Sequence, residues 1–495
     1  MRGAIAFRWG QQHRSVLSAA VRLGLAVVVL LGLLSLLGAA SRESRIQVDP
    51  ADLSVWIAMC AAVVIPFAWR VVRGRLDPFE PLLLATLAFV VLFLIRTAFD
   101  IARDNRVFAG VIDVSATYRE ALLATLIAIV AFQLGYAVRA APRVASRLPA
   151  PPPVVSDAVL LVAGLVLTIL AGAALVAKGL LAGGLDTLLL NRSQAAIDLS
   201  VPIISESVML AVPACLLLWS VSRRATVMGL AFSAAPVAIV LVASLPSGDR
   251  RYLLEALFAA GIYLFLRFGR RPSVKLVTAA ALLAFFFVIT PLRVARGGEV
   301  DYWDGVAQAV GDPLSAVEEL FRVGDTEMVS TLAFLMQNVG PDREINWQYG
   351  LSFLTETVLQ PIPRELWPDK PKPIRSQIIE ANWGMAAGRC ISICPTFSIL
   401  GSLYADLGML SVALGSAGFG FVLRCWFEYF RSWHRSTLAQ IAYAPTVFLA
   451  FYAWWSSLSV LVLGLGLFVF PIVLIALAMS NRGWSASLRR SPAPA

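Results

Sequence analysis

Long apolar runs separated by short polar segments form the dominant pattern of this chain. Many runs approach or exceed the roughly 18 consecutive apolar residues that are typical of a transmembrane helix. The pattern predicts an all-α polytopic membrane protein with about twelve transmembrane helices. The predicted spans are residues 17–40, 53–69, 80–98, 121–138, 158–177, 201–219, 227–245, 252–268, 274–292, 396–423, 441–456 and 460–479.

One long polar stretch interrupts the apolar pattern between the ninth and tenth predicted spans. We interpret this stretch as a single large extracytoplasmic loop that contains short helices. The predicted regions are therefore a membrane bundle at 1–292, the loop at 293–395, the last three spans at 396–480 and a cytoplasmic tail at 481–495.

Turn and helix signals subdivide the predicted loop. Asp312 and Pro313 are typical of a helix start, and the pattern predicts an amphipathic helix over 314–323 and a second helix over 325–337. Five prolines lie between residues 360 and 374, and they exclude a helix there.

Composition and charge support a membrane location. The chain of 495 residues is 59% hydrophobic and 15% charged, whereas soluble proteins are about 25% charged. With both termini in the cytoplasm, the cytoplasmic segments hold 22 of the 41 Lys and Arg residues and four of the 31 Asp and Glu residues. This bias follows the positive-inside rule. The net charge of +10 thus indicates topology, and the scattered basic residues argue against nucleic-acid binding.

Histidine and cysteine usage limits the chemistry that is expected outside the cytoplasm. Both histidines, His13 and His434, fall on the predicted cytoplasmic side. With no histidine at the outer face, no metal site and no cofactor are expected there. Cys390 and Cys394 lie in the loop as a C-x3-C pair, which can form a disulfide in an oxidising compartment or remain as two thiols.

The segment Ser247-Gly-Asp-Arg-Arg251 connects spans 7 and 8 at the predicted outer boundary. The guanidinium groups of Arg250 and Arg251 present planar sets of donors that match phosphate oxygens. The alternative is that both arginines pair with Asp249 and Glu255 and reach to the interface.

The string from Gln360 to Pro373 presents Arg364, Lys370 and Lys372 beside Trp367 on a proline-stiffened path. Aromatic faces stack on sugars, and a pre-ordered backbone loses little entropy on binding. The alternative is a stiff covering loop with solvated charges.

Other ionisable or polar residues near the predicted outer helix ends are also candidates. They are Arg192, Glu206, Arg293, Arg296, Asp325 and Tyr404. Ionisable groups within spans are costly, so they are usually functional or paired. Arg293 and Arg296 can alternatively cap the end of span 9.

Three short motifs occur in order between residues 245 and 425: a Gly-Asp-Arg at the outer start of a span, an Ile-Pro-Arg-x-Leu-Trp-Pro-x-Lys-Pro string late in the loop, and a Thr-Phe-Ser…Gly-x-Leu-Tyr-Ala-Asp-Leu-Gly entry into the next span. In this combination the chain resembles the Wzy-like O-antigen polymerases, which are oligosaccharide repeat-unit polymerases of bacterial inner membranes. The N-terminal half agrees only in hydropathy. Ser402 stands where many relatives are expected to carry Glu, so no acid role is transferred to it.

The resemblance implies a GT-C-like bundle in the bacterial cytoplasmic membrane that transfers a glycan from a polyprenyl diphosphate to a second lipid-linked repeat unit. On this reading the catalytic candidates are Arg250, Arg364, Arg293, Asp325 and Glu255. The substrate-binding candidates are Arg251, Arg296, Arg192, Lys370, Lys372, Trp367, Tyr404 and Glu206. The implied partners are polyprenyl-diphosphate-linked oligosaccharides and the bilayer, with a chain-length regulator and other envelope-assembly proteins as further candidates.

Three other functions remain open at the level of sequence. An O-antigen ligase is a related lipid-linked glycosyltransferase, but ligases are expected to use an outer histidine. A flippase or transporter needs polar residues near the middle of several spans, where this chain is overwhelmingly apolar. A structural partner in a cell-envelope assembly is the third.

Overall fold

A computed structural model describes residues 49–72, 77–152, 155–181, 202–221, 227–244, 250–269, 302–312, 327–359, 366–383 and 397–488, together with residues 184, 272, 276, 283, 287 and 362. Helices make up most of the described chain. One antiparallel hairpin pairs β1 (Val107–Phe108) with β2 (Ile112–Asp113).

The described helices, in chain order, are α1 (Pro50–Val72), α2 (Pro81–Ala102), α3 (Ser115–Tyr136), α4 (Ala141–Ala145), α5 (Asp157–Leu181), α6 (Pro202–Ser207), α7 (Ala211–Val221), α8 (Val227–Ser244), α9 (Arg250–Arg267), α10 (Tyr302–Gly311), α11 (Met328–Asn338), α12 (Leu351–Phe353), α13 (Ile374–Trp383), α14 (Ile399–Leu407), α15 (Met409–Trp433), α16 (Thr437–Trp455) and α17 (Leu458–Leu488).

Six helices within the described ranges are long and apolar enough to cross a membrane. They are α1, α2, α3, α5, α15 and the part of α17 between Val460 and Met479. The prediction of an all-α membrane protein is confirmed at this level. The count of twelve spans stays a prediction, because span 17–40 and most of span 274–292 lie outside the described residues.

The predicted tenth span has the wrong bounds. Residues 396–423 do not form one helix, since α14 ends before Gly408 and α15 begins after it. Gly408 has φ +63°, which a residue with a side chain rarely adopts. A Cβ at this position would also lie 3.0 Å from the Trp347 ring. The spanning segment is therefore Met409–Trp433.

The core forms where α2, α3, α15 and α16 converge. The buried rings of Phe89, Phe132 and Trp454 lie within 4.5 to 5.6 Å of one another, centroid to centroid. Helices α3 and α15 approach closely because Gly420 has no side chain: a Cβ there would overlap the carbonyl oxygen of Phe132.

A π-helical stretch, Phe89–Ile95, lies within α2. In such a stretch the backbone hydrogen bonds join residues five apart instead of four, so some backbone groups at its ends lack a partner within the helix. The indole Nε1 of Trp56 on α1 donates to the carbonyl oxygen of Leu94 at 3.0 Å, so a neighbouring helix satisfies one of these groups.

The bundle has two distinguishable ends. At the end that we call the loop end, α2 finishes, α9 begins and α16 finishes. At the opposite end, the Tyr443 hydroxyl of α16 donates to the carbonyl oxygen of Phe79, just before α2, at 2.6 Å. The 22 residues of α2 separate the two ends by about 33 Å, at ~1.5 Å per residue.

The described helices of the predicted loop are all short. The predicted second loop helix is observed as α11, and it is buried among the spanning helices instead of lying on a surface. No helix forms between residues 366 and 373, as the prolines predict. The predicted helix over 314–323 lies outside the described residues.

Candidate functional site

Arg251 has the best-defined surroundings of the predicted site residues. It lies in the first turn of α9 at the loop end and is buried. Its Nη2 donates to Oε2 of Glu206 on α6 at 2.5 Å. A buried guanidinium needs such a counter-charge, so this ion pair fixes both the position of the side chain and the contact between α6 and α9.

Two tyrosine rings flank the Arg251 guanidinium. Its Cζ lies 4.4 Å from the ring centroid of Tyr252 and 5.5 Å from that of Tyr452, near the end of α16. Both distances are within the ~6 Å range of a cation–π interaction. The guanidinium is therefore held by a carboxylate and by two aromatic rings.

A second cation lies beside the same tyrosine. The Nζ of Lys178, in the last turn of α5, is 5.4 Å from the Tyr252 ring centroid, and Lys178 is buried. Glu255 is one helical turn after Arg251 and is also buried. We use the name Arg251 cluster for Lys178, Glu206, Arg251, Tyr252, Glu255 and Tyr452.

The Arg251 cluster holds two cations and two carboxylates in one place. Its two cations can neutralise phosphate oxygens, and its two carboxylates can accept a proton from a hydroxyl group. Because the groups are fixed in a site with little water, their electrostatic effect is larger than it would be in solution.

The proline-rich segment is held in shape by its own lysines. The Nζ of Lys370 donates to the carbonyl oxygens of Ile362 at 2.7 Å and Leu359 at 3.3 Å. Lys372 pairs with Glu380 of α13 at 2.7 Å. Both ammonium groups thus contribute to the local structure of the segment.

The chain just before the proline-rich segment packs against the last helix. The π-helical stretch Leu354–Val358, just before it, contacts α17, and α17 also contacts α6. Trp367 is partly exposed within the segment, where its ring is accessible to a ligand.

Tyr404 contacts α3 instead of the Arg251 cluster. Its hydroxyl donates to Oε1 of Glu120, in the second turn of α3, at 3.1 Å. Burial and the Glu120 carboxylate raise the pKa of the Tyr404 phenol well above its usual range. The phenol therefore stays protonated and remains a donor at neutral pH.

Asp406, from the motif that carries the resemblance, anchors the loop to α14. Its Oδ1 accepts the backbone N–H groups of Gly350 at 3.1 Å and Ser352 at 3.0 Å. The preceding residue, Tyr349, has φ +51°, a conformation that costs about 1–3 kcal/mol for such a residue. The Asp406 hydrogen bonds offset part of this cost.

A second buried charged cluster joins α2 to the start of α11. Arg96 Nε donates to Asp100 Oδ1 at 2.9 Å, and Arg96 Nη2 lies 3.4 Å from Glu327 Oε1. Glu327 also accepts the backbone N–H of Ala109, near the hairpin, at 3.1 Å. Glu327 is therefore buried against the bundle.

Several predicted site residues lie outside the described part of the chain. They are Arg192, Arg293, Arg296, Asp325 and Arg364, together with the side chain of Arg250 and the two loop cysteines, Cys390 and Cys394. Among the described residues, no group of three or more His, Cys, Asp or Glu side chains is arranged to hold a metal ion.

Lys178, Tyr252 and Tyr452 were not predicted as site residues from the sequence. Lys178 had a usable signal, because an ionisable residue at the end of an apolar helix is usually paired or functional. Tyr452 had none, since nothing in a run of apolar and aromatic residues shows which tyrosine faces a cation.

Comparison of the chain with protein-family models gave no match. Comparisons with curated proteins and with solved structures gave no match either.

Proposed function

We propose that this chain is a glycosyltransferase that joins polyprenyl-diphosphate-linked oligosaccharide repeat units into a cell-surface polysaccharide. The reaction would take place at the outer face of the bacterial cytoplasmic membrane, and the loop end of the bundle would be the outer end. The observation that carries the proposal is the Arg251 cluster, in which a guanidinium is oriented by Glu206 and two tyrosine rings at the end of membrane helices.

The proposed transfer has a simple balance of bonds and charges. A sugar hydroxyl of the acceptor forms a bond to the anomeric carbon of the donor glycan. The bond from that carbon to the diphosphate oxygen breaks, and its electron pair stays on the leaving diphosphate. The hydroxyl proton moves to a carboxylate of the protein.

The Arg251 cluster supplies a group for each of these charge changes. Arg251 and Lys178 are buried cations that favour the leaving diphosphate, and stabilisation of developing charge is commonly the largest catalytic contribution. Glu206 and Glu255 are the carboxylates that we propose for the proton. Arg250 and Arg364 are proposed to bind the same diphosphate on the grounds of sequence alone.

The membrane setting suits a lipid-linked substrate. Lys178 lies in the last turn of α5, one of the six spanning candidates, so the headgroup of a polyprenyl carrier would reach the cluster while its chain stays in the bilayer. The partly exposed Trp367 offers a face on which a sugar could stack. The motif resemblance adds support over residues 245–425.

Deletion of the gene in its native host, followed by analysis of the envelope glycan, tests the proposed function. We expect single repeat units to accumulate, because chain extension would stop while the supply of units continues. Unattached long chains would instead indicate a ligase, and precursor trapped at the inner face would indicate a flippase.

Complementation of that deletion tests the site. We expect the variants Arg251→Gln, Arg250→Ala and Arg364→Ala to lower long-chain polysaccharide at least about 100-fold, the effect of removing one oxyanion-type donor. The amount of folded protein is measured for each variant, because Arg251 also pairs with Glu206. Arg435→Gln, an exposed arginine at the opposite end, is the matched control. Normal extension in all three site variants would reject the cationic site.

A further inference from the structure

A charged cavity lies at the end of the bundle opposite the Arg251 cluster. Its volume is about 320 Å³, and its lining includes Arg70, Tyr136, Val138, Arg139, Pro142 and Arg424. These residues come from the ends of α1 and α3, from the start of α4 and from α15. Small-molecule sites usually have volumes of about 300–1,000 Å³, so the cavity can hold a ligand of headgroup size.

Two of the cavity arginines are fixed in position by one buried carboxylate. Oε1 of Glu80 accepts Nη1 of Arg70 at 2.6 Å and Nη1 of Arg424 at 3.0 Å. Both guanidinium groups also lie beside the Tyr136 ring, with their Cζ atoms 5.2 and 5.4 Å from its centroid. The cavity wall is therefore preorganised.

The cavity has an excess of positive charge. Glu428 pairs with Arg424 and with Arg431, and Glu80 pairs with Arg70 and Arg424. Among the described residues, Arg139 forms no ion pair. Three guanidinium groups line the cavity, and the carboxylates of Glu80 and Glu428 pair with two of them, which leaves the lining an excess of one positive charge.

Hydrogen-bond donors also remain for a ligand. A guanidinium has five N–H donors, and within the described part of the chain Arg70 donates only to Glu80. Planar sets of such donors match phosphate oxygens better than a single ammonium would.

The mouth of the cavity is apolar and exposed. Val138, two residues after the end of the spanning helix α3, lines the cavity and is 41% exposed, and the lining residue Pro142 is exposed as well. A cationic interior with an apolar rim at the end of a membrane helix is suited to a ligand that has both a phosphate group and acyl chains.

We propose that this cavity binds the phosphate group of an anionic ligand, with an anionic phospholipid of the adjacent leaflet as the expected source. By the positive-inside rule this would be the cytoplasmic leaflet. The proposal goes beyond the proposed glycosyl transfer and does not depend on it, since it concerns the other end of the bundle and binding alone.

The test compares three preparations of the full-length protein in lipid nanodiscs. The lipid is phosphatidylcholine alone, phosphatidylcholine with cardiolipin, or phosphatidylcholine with inorganic phosphate in the buffer. Affinity is measured from the shift in the thermal-unfolding midpoint with ligand concentration, and bound lipid is identified by native mass spectrometry. Binding to the folded state raises the midpoint.

The matched variants are Arg139→Gln and Arg143→Gln. Both arginines are exposed and lie one turn apart, but only Arg139 lines the cavity. We expect Arg139→Gln to weaken binding about 10-fold, the loss of one charge-assisted hydrogen bond, and Arg143→Gln to change it less than about 2-fold.

The outcomes distinguish a lipid from a free phosphate compound as the source of the bound phosphate group, and they distinguish both from the absence of a site. Cardiolipin binding that Arg139→Gln weakens supports the lipid source, and inorganic phosphate binding with the same dependence supports a free phosphate compound. Either result supports the proposal that the cavity binds a phosphate group. Absence of binding, or equal affinity in the wild type and both variants, overturns the proposal.

Discussion

Guanidinium groups at the two ends of the bundle are stabilised in the same way. Arg251 contacts Glu206 and two tyrosine rings, and Arg424 contacts Glu80 and the Tyr136 ring. Removing one partner of a buried ion pair is costly, at about 3–5 kcal/mol, because the remaining charge is uncompensated. Variants at such residues therefore need a control for folding.

Substitutions of Tyr452 test how much its aromatic ring contributes to chain extension. We expect Tyr452→Phe to retain chain extension, because the ring face beside the Arg251 guanidinium is preserved. Tyr452→Leu should lower extension by about 2- to 30-fold, which corresponds to the ~0.5–2 kcal/mol of a cation–π contact. The measurement is polysaccharide chain length in the complemented deletion strain. Equal extension in both variants would show that the ring does not position Arg251.

At the scale of elements, the bounds of several observed helices agree with the hydropathy pattern. Spans predicted at 53–69, 121–138 and 158–177 are observed as α1, α3 and α5 with ends shifted by a few residues. The break at Gly408 and the π-helical stretch in α2 were not predicted. Both depend on contacts with a partner helix or loop, such as the contact of Trp347 with Gly408. The hydropathy of a segment carries no information about such contacts.

Close packing of α3 against α15 leads to a stability prediction. Gly420→Ala should lower the free energy of unfolding by about 1–3 kcal/mol, because its methyl group would overlap the Phe132 carbonyl oxygen and force the helices apart. The readout is thermal unfolding of the purified protein in detergent.

Gly418 supplies the matched control within the same helix. A Cβ at this position has no atom within 4 Å, so Gly418→Ala should be neutral or stabilise the helix by up to ~1 kcal/mol. Equal destabilisation by both substitutions would contradict a specific close approach at Gly420.

At the scale of the whole molecule, charged clusters lie at both ends of the bundle. The contacts among Arg96, Asp100 and Glu327 lie at the loop end, as does the Arg251 cluster. The contacts of Glu80 with Arg70 and Arg424 lie at the other end. This arrangement allows one end to serve a reaction while the other interacts with a leaflet of different charge.

Cysteine labelling tests the orientation of this arrangement. In a variant whose five native cysteines are replaced by alanine, we expect Asp342→Cys to react with a membrane-impermeant maleimide in intact cells or spheroplasts, and Ser146→Cys to react only after lysis. Both positions are exposed, and they lie at opposite ends of the bundle. The reverse pattern would place the Arg251 cluster in the cytoplasm and exclude the proposed reaction.

The sequence by itself determined that this is an α-helical membrane chain, where most of its apolar helices lie and which ionisable residues stand near their ends. These are local properties, because each helix satisfies its own backbone hydrogen bonds and hydropathy acts residue by residue. Only the tertiary structure decided which charges meet. Arg251 and Glu206 are 45 positions apart, Arg96 and Glu327 are 231 apart, and Arg424 and Glu80 are 344 apart. Such pairs form because particular helix faces fit together, as at Gly420, and the shape of a packed face is a property of both helices at once.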